Sequence, residues 1–110
     1  MQVVFSNKFT TLYSEFNKNI IADTNILAND ILIAGDGLLR LTVSVNTDGA
    51  FSIIIKRNSQ SIKLKYNAGG DILADCAYAF DIGIRSGDSI NFQHSETAKL
   101  NLINVDFVAV

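Results

Sequence analysis

The sequence predicts an all-β fold: an antiparallel two-sheet β-sandwich of about seven to nine strands. Two observations carry that prediction. Apolar and polar residues alternate with a period of two over most of the chain from Leu39 onward, as in strands buried on one face. Clusters of Gly, Asn, Asp and Ser interrupt the alternation about every ten residues, where an antiparallel fold needs its reversals. With 110 residues and 48% hydrophobic content, residues 1–110 suit one domain that buries roughly two thirds of its unfolded surface.

The first thirty residues show the least order. "VVF", "FTTLYSEF" and "NIIADTNILA" hold apolar groups without a clean period. A short helix over Thr11 to Asn17 fits as well as a strand, and residues 1–30 are expected to be edge strands or an arm that docks on a neighbouring subunit. In "LLRLTVSVN", Leu39, Leu41, Val43 and Val45 point to one side and Arg40, Thr42, Ser44 and Asn46 to the other. Asp48-Gly49 then reads as a type I′ hairpin, whose two central residues need positive φ. "AFSIIIKRN" places Phe51, Ile53 and Ile55 inward and Ser52 and Lys56 outward, with Ile54 marking a contact on the polar face.

"RNSQ" is the next reversal, and "SIKLKYN" sets Ile62, Leu64 and Tyr66 opposite Lys63 and Lys65. "NAGGD" breaks the backbone with successive glycines. Beyond it Tyr78, Phe80, Ile82 and Ile84 alternate with Ala77, Ala79, Asp81, Gly83 and Arg85. "RSGDS" turns into "INFQH", with Ile90, Phe92 and His94 in phase. In the closing run "AKLNLINVDFVAV" the apolar phase shifts between Leu102 and Ile103, so a bulge there is needed to keep one buried face.

Composition and motifs argue against catalysis. The net charge is -2 and the nine basic residues are scattered, so the basic stripe of a nucleic-acid binder is missing. No run reaches the roughly 20 apolar residues of a membrane span, and the amino terminus lacks the basic segment and apolar core of a signal peptide, so the chain reads as soluble with no membrane insertion. Cys76 is the only cysteine, which excludes an internal disulfide, and it reads as a small buried side chain. His94 is the only histidine and has no neighbouring ligand for a metal. No glycine-serine-glycine elbow and no phosphate-cradling loop is present, and no cofactor is implied.

Aspartates beside turns are the remaining candidates, and Asp36, Asp71 and Asp88 are the ones to test for calcium, although aspartate is also an ordinary turn former. Tyr13, Tyr66 and Tyr78 fall mostly in phase with buried positions, so core packing is the default over a sugar-stacking platform, and tryptophan is absent.

The succession "GLLRLTVSVNTDGAFSIIIKR", "YNAGGDILADCAYAFDIGIRSGDSINFQ" and "LNLINVDFVAV" resembles small β-sandwich or jelly-roll proteins of virus and phage particles, among them minor capsid, decoration and spike components. The likeness covers about the last three quarters of the chain and rests on "NAGGDILA", "YAFDIGI" and "SGDSINFQ". It implies a jelly-roll-like sandwich and a non-enzymatic virion structural protein. Its partners would be copies of itself, in a trimer by preference, and other capsid proteins, and it would be assembled in the host cytoplasm. Uncharged outer faces, as at Ala77, Ala79 and Gly83, and a charged content of 18% fit burial against neighbouring subunits. The alternatives are a module binding a glycan or host receptor and a pilus-like or cell-surface assembly subunit, both extracellular.

Overall fold

Leu39, Leu41, Val43 and Val45 are wholly buried, and Phe51, Ile53 and Ile55 of the following strand join them in one core. The computed structural model that shows this describes residues 9–109. Its strands are β1 (Thr10–Ile20), β2 (Ile31–Leu32), β3 (Gly37–Val45), β4 (Gly49–Arg57), β5 (Gln60–Lys65), β6 (Asp71–Ile72), β7 (Tyr78–Ile84), β8 (Ser89–His94) and β9 (Ala98–Ala109). One sheet runs β1-β9-β3-β7 and the other β2-β8-β4-β5, with β6 pairing the start of β4, and every pairing is antiparallel.

The pairings are nested. The first strand pairs with the last, β2 with β8, β3 with β7 and β4 with β5. This is a long hairpin rolled into a double sheet, the jelly-roll arrangement, and it differs from the immunoglobulin grouping of strands. No helix among the described residues is long and apolar enough to cross a membrane.

Asp48-Gly49 is not a hairpin. Strands β3 and β4 lie in different sheets, and neither residue takes a positive φ. The glycine is needed for a close approach instead: a Cβ there would stand 2.5 Å from Cε1 of His94 and 2.8 Å from Oγ of Ser95. Asp48 accepts the Ala74 N–H at 2.7 Å, which fastens the connection to the loop beyond β6. The type I′ turn occurs at the next reversal, where Arg57 pairs with Gln60 and both Asn58 and Ser59 have positive φ, 51° and 64°.

The amino-terminal segment is a strand throughout Thr10–Ile20, so no helix forms over Thr11 to Asn17. Of the two readings of residues 1–30, the edge strand describes 10–20, which pair with β9 of the same chain; residues 1–8 lie outside the described residues. Ile20, Ile26 and Leu27 are core residues, and the segment from Asp23 to Ile33 bonds along β8 through Asp23 N–H to His94 O, Ile26 N–H to Phe92 O and Ile33 N–H to Asp88 O, each 2.8 Å. The bulge expected in the closing strand is present one residue early. Register shifts at Asn101, between the Ser44–Leu102 and Val45–Leu100 pairs, and Leu100, Ile103 and Val105 all point into the core.

One substitution and one truncation test this fold. Ser59→Gly relieves a left-handed conformation that serine tolerates poorly, and it is expected to stabilise the fold by about 1 kcal/mol in chemical denaturation. Removal of residues 1–30 takes away an edge strand and three core side chains, so circular dichroism is expected to show an unfolded chain.

Candidate functional site

The three calcium candidates do not converge. Asp36 and Asp88 lie at the end of the sandwich where β3 begins and β7 ends, whereas Asp71 opposite Ala50 lies at the other end. Asp88 is only 1% exposed, and its carboxylate is taken by protein donors: Arg57 Nε at 2.9 Å, Arg57 Nη2 at 2.7 Å and the Arg85 N–H at 2.9 Å. The hydrogen bonds from Arg57 hold its pKa below the usual carboxylate value against the opposing effect of burial. Asp36 accepts the Ser86 N–H at 2.9 Å. Among the described residues no group of three His, Cys, Asp or Glu side chains is placed to hold a metal ion. An open cavity of about 540 Å³ at this end is lined by Asp36, Arg57 and Arg85, and Arg57 there is paired with Asp88.

The other polar candidates also serve the fold. His94 is buried, with Nδ1 receiving the Glu96 N–H at 3.1 Å and Nε2, beside the Gly49 backbone, lacking a hydrogen-bond partner among the described residues. Cys76 is exposed, contrary to expectation. The strand begins only at Tyr78, and residues 73–77 form a turn in which Asp75 takes a φ of 61° and the Cys76 N–H reaches Leu73 O. Tyr13 is half-buried and bonded to Glu15; burial first and this neighbour second push its hydroxyl up to about 12. Tyr66 stacks on Phe80 with ring centroids 4.3 Å apart and meets Tyr78 edge-on at 5.7 Å.

Sequence reasoning missed Asn91, which reads as an outward polar residue of β8. Its buried amide accepts the Leu27 N–H at 3.0 Å and donates to Leu27 O at 3.0 Å and Asp30 Oδ1 at 2.8 Å, pinning the 25–30 segment onto the sheet. Lys56 adds an ion pair to Asp30 at 3.2 Å. Ile54, paired with Asn91 on one side and Lys63 on the other, is 8% exposed, so it packs on the polar face as its position suggested.

Apolar side chains are exposed on both margins of the sandwich: Phe16, Ile21 and Leu32 stand out on the β1/β2 side, and the side bounded by β5 and β7 opens onto the core face. Ile62 and Leu64 point to the core face opposite Ile55 and Ile53, yet they are 42% and 41% exposed because no strand among the described residues lies beyond β5. Phe80 and Ile82 of β7 are half-buried on the same side, with Tyr66 between the sheets. On the outer face of β7, Ala79 and Gly83 flank Asp81, which accepts Arg40 Nε at 2.8 Å and Nη2 at 3.0 Å. Those hydrogen bonds lower the Asp81 pKa. The Phe9 ring covers the Arg40 guanidinium at 4.5 Å. This side thus sets partly exposed apolar side chains beside the paired Arg40 and Asp81, a composition suited to contact with another protein.

No protein-family model matches the chain, and no curated protein sequence matches it.

The electrostatics predict a broad pH plateau. Asp30, Asp81 and Asp88 all have lowered pKa values, so the stability they contribute is present above about pH 4 and is lost as pH falls through those values. Tyr13 is raised from 10.0 to about 12, so its contribution is complete below pH 10 and disappears as pH rises through about 12. Thermal melts are expected to be flat between these limits. In Arg57→Met the acid limb begins at higher pH, because Asp88 keeps only the Arg85 N–H.

Proposed function

We propose that this protein is a non-enzymatic structural subunit of a virus or phage particle, a minor capsid, decoration or spike component, that works through contacts with copies of itself and with other particle proteins. The nested jelly-roll pairing is an architecture of viral capsid domains, and also of lectins and cupins, so fold alone does not choose among them. The observation that carries the reading is the open β5/β7 side, where Ile62 and Leu64 stand beside Phe80 and Ile82 of the exposed core edge. A surface of this kind in water favours association. The buried Asp88, Asn91 and His94 are spent on turns and strand edges, which supports a role residing in surfaces.

A sugar-stacking platform finds less support, since Tyr13 and Tyr66 are half-buried and engaged with Glu15 and Phe80. Light scattering behind size-exclusion chromatography, over micromolar to millimolar concentrations, tests the reading. A mass that is a defined multiple of the chain is expected; a monomer throughout the range contradicts self-assembly.

A further inference from the structure

The four sheet edges are not guarded alike. Natural edge strands avoid unwanted pairing by being short, by bulging or by carrying lysine. The edge strand β2 has two residues. In β1 the register slips between Thr11 and Tyr13, and Asn17 takes a φ of 55°. On β5, Lys63 and Lys65 line the outer face. The edge β7 has none of these devices: its seven residues pair with β3 in unbroken register from Val43–Tyr78 to Gly37–Ile84, and its one charge, Asp81, is held by Arg40. Every second residue of β7 therefore directs its backbone N–H and C=O away from β3, and no strand among the described residues pairs with that edge.

The sequence of this edge is self-complementary. "YAFDIGI" reads large, small, large, Asp, large, small, large in either direction. An antiparallel copy centred on Asp81 sets Tyr78 opposite Ile84, Ala79 opposite Gly83 and Phe80 opposite Ile82, so apolar pairs share the core face and the two smallest residues share the outer face. The same register sets the two Asp81 carboxylates opposite each other at the axis, and the Arg40 guanidinium that each copy brings beside its own Asp81 offsets that like-charge pair. A β5 to β5 contact would instead set the Lys63 and Lys65 rows against each other.

We propose that Tyr78–Ile84 is the strand by which two copies of this chain join, antiparallel about a two-fold axis at Asp81, turning two four-stranded sheets into one of eight strands. The proposal rests on the self-assembly reading above and refines it. An isologous contact yields a dimer, or the dimeric unit of a larger lattice, instead of the trimer expected from the sequence.

The register supplies the test. Ala79 is exposed and a Cβ at Gly83 meets nothing within 4 Å, so both positions accept side chains in the single chain. The double variant Ala79→Lys/Gly83→Lys opposes like charges twice across the two-fold axis, whereas Ala79→Glu/Gly83→Lys opposes unlike charges twice. Sedimentation equilibrium is expected to show the first weakening the dimer by about 30-fold and the second holding within about 3-fold of wild type. Circular dichroism shows whether each chain is folded, and the Glu/Lys variant keeps the test decisive if the Lys/Lys variant is not. Wild-type oligomers that are indifferent to both variants would overturn the β7 assignment and leave self-assembly standing. A wild-type monomer at every concentration would overturn both.

Discussion

The crossing from Val45 to Gly49 determines where everything else lies. Here the chain leaves one sheet and enters the other, so β3 and β4 face each other across the core instead of pairing side by side. Asn46 bonds Lys99 in both directions at 2.9 Å, Asp48 holds Ala74, and Gly49 lets the backbone lie against the His94 ring. Around these two strands, β9 and β7 flank β3, and β8 and β5 flank β4, which leaves β7 and β5 as the edges of one side of the sandwich.

The same geometry separates the residues that support the fold from those free to act outside it. Asp88 is buried under Arg57 and closes the turn after β7, Asn91 substitutes its amide for a strand partner at Leu27, and His94 fills the space beside Gly49. Each is polar, buried and committed to a neighbour in the fold. Apolar side chains at the sandwich margin, Ile62 and Leu64 among them, are left half in water, and a second protein surface lowers their free energy where water does not.

Much of this was legible in the sequence because a period of two is a local property. The runs at Leu39–Val45, Phe51–Ile55 and Ile90–His94 face as their alternation indicates, and the phase change in the last strand announced a bulge that lies at Asn101. Information that depends on distant partners was not legible. Asp-Gly at 48–49 has the composition of a hairpin but uses its glycine for contact with His94, while Asn58-Ser59, a weaker signal, adopts the type I′ turn. Alternation placed Ile62 and Leu64 inward correctly and could not tell that their strand ends a sheet. It also carried the strand back over Cys76, where the Leu73 turn intervenes. Among the described residues, seven other than glycine have positive φ, and five of them, Asn17, Asp23, Asn58, Asn67 and Asp75, are the Asn and Asp types that accept it most readily. Part of the asparagine content thus has a backbone role.

The most direct test of an account in which function resides at the unguarded edge is amide hydrogen exchange measured on dilute and on concentrated protein. The account predicts that the outward-facing amides of Tyr78–Ile84 gain protection as concentration rises, while those of β1 and β5 exchange as before. Protection that appears at β1 or β5 in place of β7, or no concentration dependence anywhere, would contradict it.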